Sequence, residues 1–357
     1  MNGSGRYRAR MVLPPRRVVR ALLRLPRPLA RLLAGRSRRG DAGQALDRQV
    51  RLLLWAEALV GIPPLTGAAV APSRARFRRT SRRLVADAPA HERRDLVLRG
   101  PAGLLRARSF APPGLGPRSG GLVWLHGGGW VLGDLDTHEA VCADLAVRAG
   151  CRVIAVDYRL APEHPFPAAV EDAWAAFREV LSRADELGLD PARVAVGGDS
   201  AGGNLAAVVA LLARDAGGPA PAGQVLVYPG LDNSPRRTAS EERFGRGYLL
   251  SEADIAWFRA HYLPRAEDRL DWRASPLLVP DLRGVAPAVV IAAGFDPIQD
   301  GAREYAARLR QSGVRVEERC EADLVHGFLH LTAGVRAARR AADALAGSVR
   351  ALLAPAR

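Results

Sequence analysis

Arg193-Val194-Ala195-Val196-Gly197-Gly198-Asp199-Ser200-Ala201-Gly202-Gly203 passes from an apolar, β-branched run into a stretch of small residues, with a serine at the junction. Its centre, Gly198-Asp199-Ser200-Ala201-Gly202, has the form G-x-S-x-G. A serine there sits at a sharp, exposed turn between a strand and a helix, and glycines flank it because a strained turn tolerates no large neighbour. The helix beginning at Ala201 adds partial positive charge beneath the hydroxyl. The reading requires a strand before Ser200 and a helix after it, which is half of a βαβ unit.

Working outward from this turn, short apolar runs alternate with longer helical ones from about residue 90. The predicted strands are Asp95–Leu98, Leu104–Ser109, Gly121–Leu125, Arg152–Val156, Arg193–Val196, Gln224–Val227, Ala288–Ala292 and Val314–Arg319. Several are continuously apolar, as expected for strands covered by helices on both faces. Helices are predicted over Ala168–Ala184, Ala201–Ala216 and Gly301–Gln311, the last two ended by glycines. The fold class expected is therefore α/β, a mostly parallel eight-stranded sheet with helices on both faces. Some sixty residues separate the strands at Val227 and Ala288, more than a crossover needs. Within them Ser251-Glu252-Ala253-Asp254 reads as a capping box opening a helix through Tyr262. That excursion, at about residues 232–275, reads as a helical cap placed where it could cover a pocket.

His126-Gly127-Gly128-Gly129-Trp130 follows the strand Gly121–Leu125. Consecutive glycines offer backbone N–H groups that a developing oxyanion can approach unhindered, and each such donor is worth about 10²–10³ in rate. The donors expected are the N–H groups of Gly128, Gly129 and Ala201. A serine hydroxyl is a weak nucleophile, so a histidine base and an orienting carboxylate are needed. The chain order Ser, acid, His points to His326, in Val325-His326-Gly327-Phe328, with His330 as its rival. Asp296 follows the strand Ala288–Ala292 directly, whereas Asp300 falls at a helix start and Asp323 is close in sequence to His326.

With these residues in place the chain resembles the hormone-sensitive-lipase family of α/β hydrolases, in particular its bacterial carboxylesterases. The resemblance runs from about residue 90 to the C-terminus. It rests on His126–Trp130, on Asp157-Tyr158-Arg159-Leu160-Ala161-Pro162-Glu163-His164-Pro165-Phe166-Pro167-Ala168-Ala169, on the turn at Ser200, on Tyr228-Pro229, on Asp296-Pro297-Ile298-Gln299-Asp300 and on His326-Gly327-Phe328. It implies a cytoplasmic serine esterase with no cofactor and no metal, acting on a small-molecule ester through Ser200, Asp296 and His326. It also implies that N-terminal helices and the mid-chain insertion cap the acyl and alcohol pockets. The domains expected are an Arg-rich arm (1–40), an N-terminal helical cap segment (41–89) and a catalytic domain (90–357). The block Tyr158–Pro167 reads as a turn buttressing the glycine loop, with Arg159 and Glu163 pairing locally.

Composition narrows the alternatives. The net charge of +15 is concentrated in residues 1–99, with 23 Arg against 6 acidic residues, while residues 100–357 carry 29 Arg against 31. The chain has no lysine, so the excess reads as a coding bias and no nucleic-acid partner is expected. No uncharged apolar run is long enough to span a bilayer. Arg16, Arg20 and Arg24 recur on one face of a short basic helix, which allows weak peripheral membrane contact through the arm. Cys142, Cys151 and Cys320 show no metal-binding spacing and are expected as reduced thiols. The activity expected is hydrolysis of short-to-medium-chain carboxylic esters by a monomer or homodimer. An acetyl-ester, lactone or amide specialist and a ligand-binding receptor on the same scaffold are the alternatives.

Overall fold

The computed structural model describes residues 21–35, 39–40, 43–60, 65–67 and 69–355. All eight predicted strands are present: β1 (Glu92–Gly100), β2 (Gly103–Ala111), β3 (Ser119–Leu125), β4 (Arg152–Val156), β5 (Leu189–Asp199), β6 (Gln224–Val227), β7 (Ala288–Phe295) and β8 (Val316–Val325). They form one sheet in the order β1-β2-β4-β3-β5-β6-β7-β8. β2 is antiparallel to both β1 and β4, and every pairing from β4 to β8 is parallel.

Successive residues of a strand point to opposite faces, and here both faces are buried. Val123 and Leu125 of β3 pack on one side with Val194 and Val196 of β5, together with the helices Ala168–Ser182, Ala201–Asp215 and Gln299–Gln311. Leu122, Trp124 and Ala195 face the other side, against the helices Leu135–Ala149 and Arg336–Leu352. The helix Ala201–Asp215 is buried almost all round, which explains why alanine, valine and leucine fill it on every side.

This strand order fixes where a site can form. From β3 the chain leaves for β4 through the helix Leu135–Ala149, and from β5 it leaves the opposite way for β6 through Ala201–Asp215. β3 and β5 are neighbours, so their diverging exits open a crevice at their carboxyl ends, the usual ligand site of such sheets. The glycine loop follows β3 and Ser200 follows β5.

Further elements sit over that end of the sheet. The predicted capping box is formed: the Ser251 hydroxyl accepts the Asp254 N–H at 3.2 Å and the helix runs Glu252–Tyr262. Phe258 of that helix packs on Gly129, and the Trp130 ring stacks on Tyr262 with centroids 4.5 Å apart. The helix Val70–Ser81 supplies Arg74, whose Nε donates to the Val131 carbonyl at 2.8 Å. Of the proposed basic helix, Arg16 and Arg20 lie outside the described residues. The helix that follows, Arg27–Ala34, leaves Leu29 and Leu32 exposed.

One expectation is corrected. Arg159 and Glu163 do not pair. Arg159 instead grips the fully buried Asp172, Nη2 to Oδ1 at 2.7 Å, while Glu163 takes both Nη1 and Nη2 of Arg74 at 2.8 and 2.7 Å. A charge-assisted bond to a carboxylate excluded from water is stronger than a four-residue surface pair, so Arg159 turns inward. The block still supports the glycine loop by other bonds: Ala161 N–H donates to the Trp130 carbonyl at 2.9 Å and the Tyr158 hydroxyl to the His126 carbonyl at 2.7 Å.

Candidate active site

Ser200 occupies φ 55° and ψ −117°, a conformation costly for a residue with a side chain. It is held by the Ser200 N–H, which donates to the Val227 carbonyl at 2.9 Å, and by the Asn204 N–H, which donates to the Ser200 carbonyl at 3.1 Å. The flanking glycines are dictated by contact. A Cβ at Gly202 would lie 1.8 Å from the Leu125 carbonyl oxygen, and one at Gly198 would lie 2.3 Å from it. The turn is thus pressed against the end of β3, which brings Ser200 beside the glycine loop.

Asp296 sits one residue past β7 and His326 one residue past β8, so three strand ends deliver three side chains to one place. His326 Nε2 lies 2.9 Å from Ser200 Oγ and His326 Nδ1 lies 2.7 Å from Asp296 Oδ2. The Asp296 carboxylate accepts the ring's Nδ1–H, which leaves Nε2 as the acceptor for the serine proton. The second oxygen of Asp296 accepts the Ile298 N–H at 3.0 Å, and the residue is completely buried. The rivals fall elsewhere. Asp300 accepts the Ser240 N–H at 2.8 Å, Asp323 lies within β8, and His330 Nε2 is 3.3 Å from His138 Nε2.

Gly128 and Gly129 adopt φ +124° and +60°. Among the described residues neither their N–H groups nor that of Ala201 have a protein acceptor. A Cβ at Gly128 would lie 2.3 Å from the Leu132 carbonyl oxygen. Gly128→Ala is therefore expected to displace the loop and lower kcat by about 10²–10³, the value of one oxyanion donor. Stopped-flow or steady-state hydrolysis beside a thermal melt checks this, and unchanged kcat in a folded variant would separate this loop from the chemistry.

Asp199, His138 and His330 stand behind the loop. Asp199 Oδ1 accepts the Gly127 N–H at 3.1 Å, and its carboxylate faces His138. Burial alone would raise Asp199, but His138, and then His330 and His126, outweigh it and hold the carboxyl at about 2. Burial, followed by the charge of His138, pushes His330 down to about 4. The signal for Asp199 was available: an acid directly after an apolar strand, in a turn too tight to reach solvent. His138 and His330 carry no such mark, since they meet Asp199 only through the fold.

The site opens into a cavity of about 510 Å³ lined by Ser200, His326, Gly128, Trp130, Phe77 and Phe258, among others. Glu57, on the helix Arg48–Val60, also lines it, and burial pushes its carboxyl up to about 7. Between about pH 4.5 and 7 the unfolded chain therefore holds fewer protons at this position than the folded one, so stability falls as pH rises through that window. Glu57→Gln is expected to flatten that part of the profile of melting temperature against pH. An unaltered profile would show that Glu57 is solvated.

Known proteins resemble this chain over most of its length. A family model described as the α/β hydrolase fold matches residues 122–330. The carboxylic ester hydrolase LipN of Mycobacterium tuberculosis is 46 % identical over 321 residues, 88 % of this chain and 85 % of its own. The ethyl acetate hydrolase of Pseudomonas putida is 44 % identical over 64 % of this chain and 72 % of its own. Among solved structures, an ester hydrolase from the metagenome of Lake Arreo, in complex with a bipyridine phosphonate derivative, superposes with a TM-score of 0.83. It is 41 % identical, over 86 % of this chain and 98 % of its own.

Proposed function

We propose, from the premise that this chain belongs to the hormone-sensitive-lipase-like branch of the α/β-hydrolase fold family and is a carboxylic ester hydrolase, that Ser200, His326 and Asp296 carry its chemistry through an acyl-enzyme. The observation that carries the proposal is the unbroken relay from Asp296 through His326 to Ser200, at 2.7 and 2.9 Å.

As the Ser200 hydroxyl attacks the ester carbonyl, His326 Nε2 takes its proton and Asp296 stabilises the imidazolium that forms. The N–H groups of Gly128, Gly129 and Ala201, without a protein acceptor among the described residues, receive the oxyanion. His326 then returns the proton to the leaving alcohol, and water repeats the sequence at the acyl carbon to release the acid and restore Ser200.

Substrate size follows from the cavity. At about 510 Å³ it lies in the lower half of the range for small-molecule sites, and Phe258, held against Gly129, narrows it beside the loop. The substrates proposed are esters of short-to-medium acyl chains. A panel of p-nitrophenyl esters from acetyl to palmitoyl is expected to give the highest kcat/KM at or below the medium chains, with a fall of at least about tenfold by palmitoyl. A rise toward palmitoyl would contradict this reading of the cavity. The helices Arg48–Val60, Val70–Ser81 and Glu252–Tyr262 are proposed to form the cap.

A further inference from the structure

We propose that His138, Asp199 and His330, behind the glycine loop, form a binding site for one divalent transition-metal ion, with zinc the best match. His138 Nε2 lies 3.3 Å from Asp199 Oδ1, 3.4 Å from Asp199 Oδ2 and 3.3 Å from His330 Nε2, and one ligand atom from each residue falls within 4.8 Å of the others. His138 and Asp199 are buried, whereas His330 and Asp199 border the cavity, which gives an ion a way in.

Two arguments favour a cation over a hydrogen-bonded cluster. The first is distance. A charge-assisted hydrogen bond from an imidazolium to a carboxylate closes to about 2.7–2.9 Å. Ligand atoms held about 2.0–2.1 Å from a tetrahedral zinc stand roughly 3.3–3.4 Å apart, which is the spacing from His138 Nε2 to Asp199 and to His330.

The second is the count of protons. The Thr137 hydroxyl lies 2.7 Å from the Asp134 carbonyl, to which it donates. His138 Nδ1, 3.0 Å from the same hydroxyl, must then donate to it. Nε2 of the same ring faces a carboxylate and a second imidazole nitrogen, a position that a proton or a metal ion can fill. When a metal ion displaces the Nε2 proton, three electron-pair donors converge on it, with release of that proton. The bond from His138 Nδ1–H to a neighbouring oxygen is also the outer support that ligating histidines generally have.

The donor set of two imidazoles and one carboxylate suits zinc, copper or nickel and disfavours magnesium and calcium, which take oxygen. His138 and Asp199 are 61 residues apart in sequence, and Asp199 and His330 131 apart, so no spacing motif announces the site.

Isothermal titration of the chelator-treated full chain with Zn²⁺ tests the proposal. The expected result is one ion per chain with micromolar or tighter affinity, proton release seen as a buffer-dependent heat, and no binding of Mg²⁺. His330→Asn and His138→Gln should each weaken Zn²⁺ by more than about tenfold, the loss that follows removal of even an outer support. His91→Gln, remote from the cluster, should leave it unchanged. Co²⁺ added to the unaltered protein should give the visible absorption of a four- or five-coordinate ion, a readout that does not depend on any variant folding. Absence of Zn²⁺ binding, affinity that survives both substitutions in folded variants, or an octahedral Co²⁺ spectrum would each overturn the site. All readouts are of binding, so they stand apart from the assignment of Ser200.

Discussion

Ser200→Ala is expected to lower kcat on p-nitrophenyl butyrate by about 10⁴–10⁶ while leaving KM within a few-fold. That loss corresponds to roughly 5–8 kcal/mol of transition-state stabilisation. The fold should survive, because alanine meets the same backbone cost at φ 55° as serine and both backbone bonds of the turn remain. Activity above the uncatalysed rate should persist, since Gly128, Gly129 and Ala201 still offer their N–H groups. Thermal melts matching the unaltered protein, measured beside the kinetics, distinguish lost chemistry from lost structure.

The second large effect concerns Asp296. Asp296→Asn is close to isosteric, and its amide oxygen can keep the bond from the Ile298 N–H at 3.0 Å. The amide NH₂ then points at His326 Nδ1, where a carboxylate oxygen stood at 2.7 Å. Two donors cannot share one bond, so Nδ1 loses its proton and Nε2 gains one. Nε2 can then no longer accept from Ser200. A fall of about 10⁴ in kcat at neutral pH is expected, with an unchanged melting profile. A fall of less than tenfold would mean that the ring is oriented by something other than Asp296. Tyr228, whose ring centroid lies 4.8 Å from that of His326, would be the next residue to test.

What could be read from the sequence follows from how locally each feature is determined. The turn at Ser200 and the central strands are readable because Leu122–Leu125 of β3, Val194–Val196 of β5 and the whole of β7 are buried on both faces and apolar without interruption. For β8 the sequence pattern predicts Val314–Arg319, whereas the strand runs Val316–Val325. As an edge strand it carries Glu317, Glu318, Arg319 and Glu321, charges that protect an edge from pairing but erase the apolar signal. The helices Leu135–Ala149 and Arg336–Leu352 were not predicted. The first is capped reciprocally by Asp134 and Thr137, a pair outside the usual Ser/Thr-x-x-Glu/Gln form, and the second is written mostly in alanine and arginine.

The same distinction holds at the site. Ser200, Asp296 and His326 each follow a strand, so the G-x-S-x-G motif points to the first and chain order to the other two. The partners of Arg159 and Glu163 were misjudged because the competing carboxylate and guanidinium, Asp172 and Arg74, are brought in by helices packed in three dimensions. His138 and His330 belong to that class too, as their neighbourhood exists only once the helix Leu135–Ala149 and the turn after His326 have packed.

The most direct measurement is covalent. Treatment with a fluorophosphonate, followed by intact-mass and peptide-mapping mass spectrometry, traps the nucleophile as a stable tetrahedral adduct. One adduct per chain is predicted, located on Ser200, forming in step with loss of esterase activity and absent from Ser200→Ala. An adduct on any other residue, or full inactivation with Ser200 unmodified, would contradict the account.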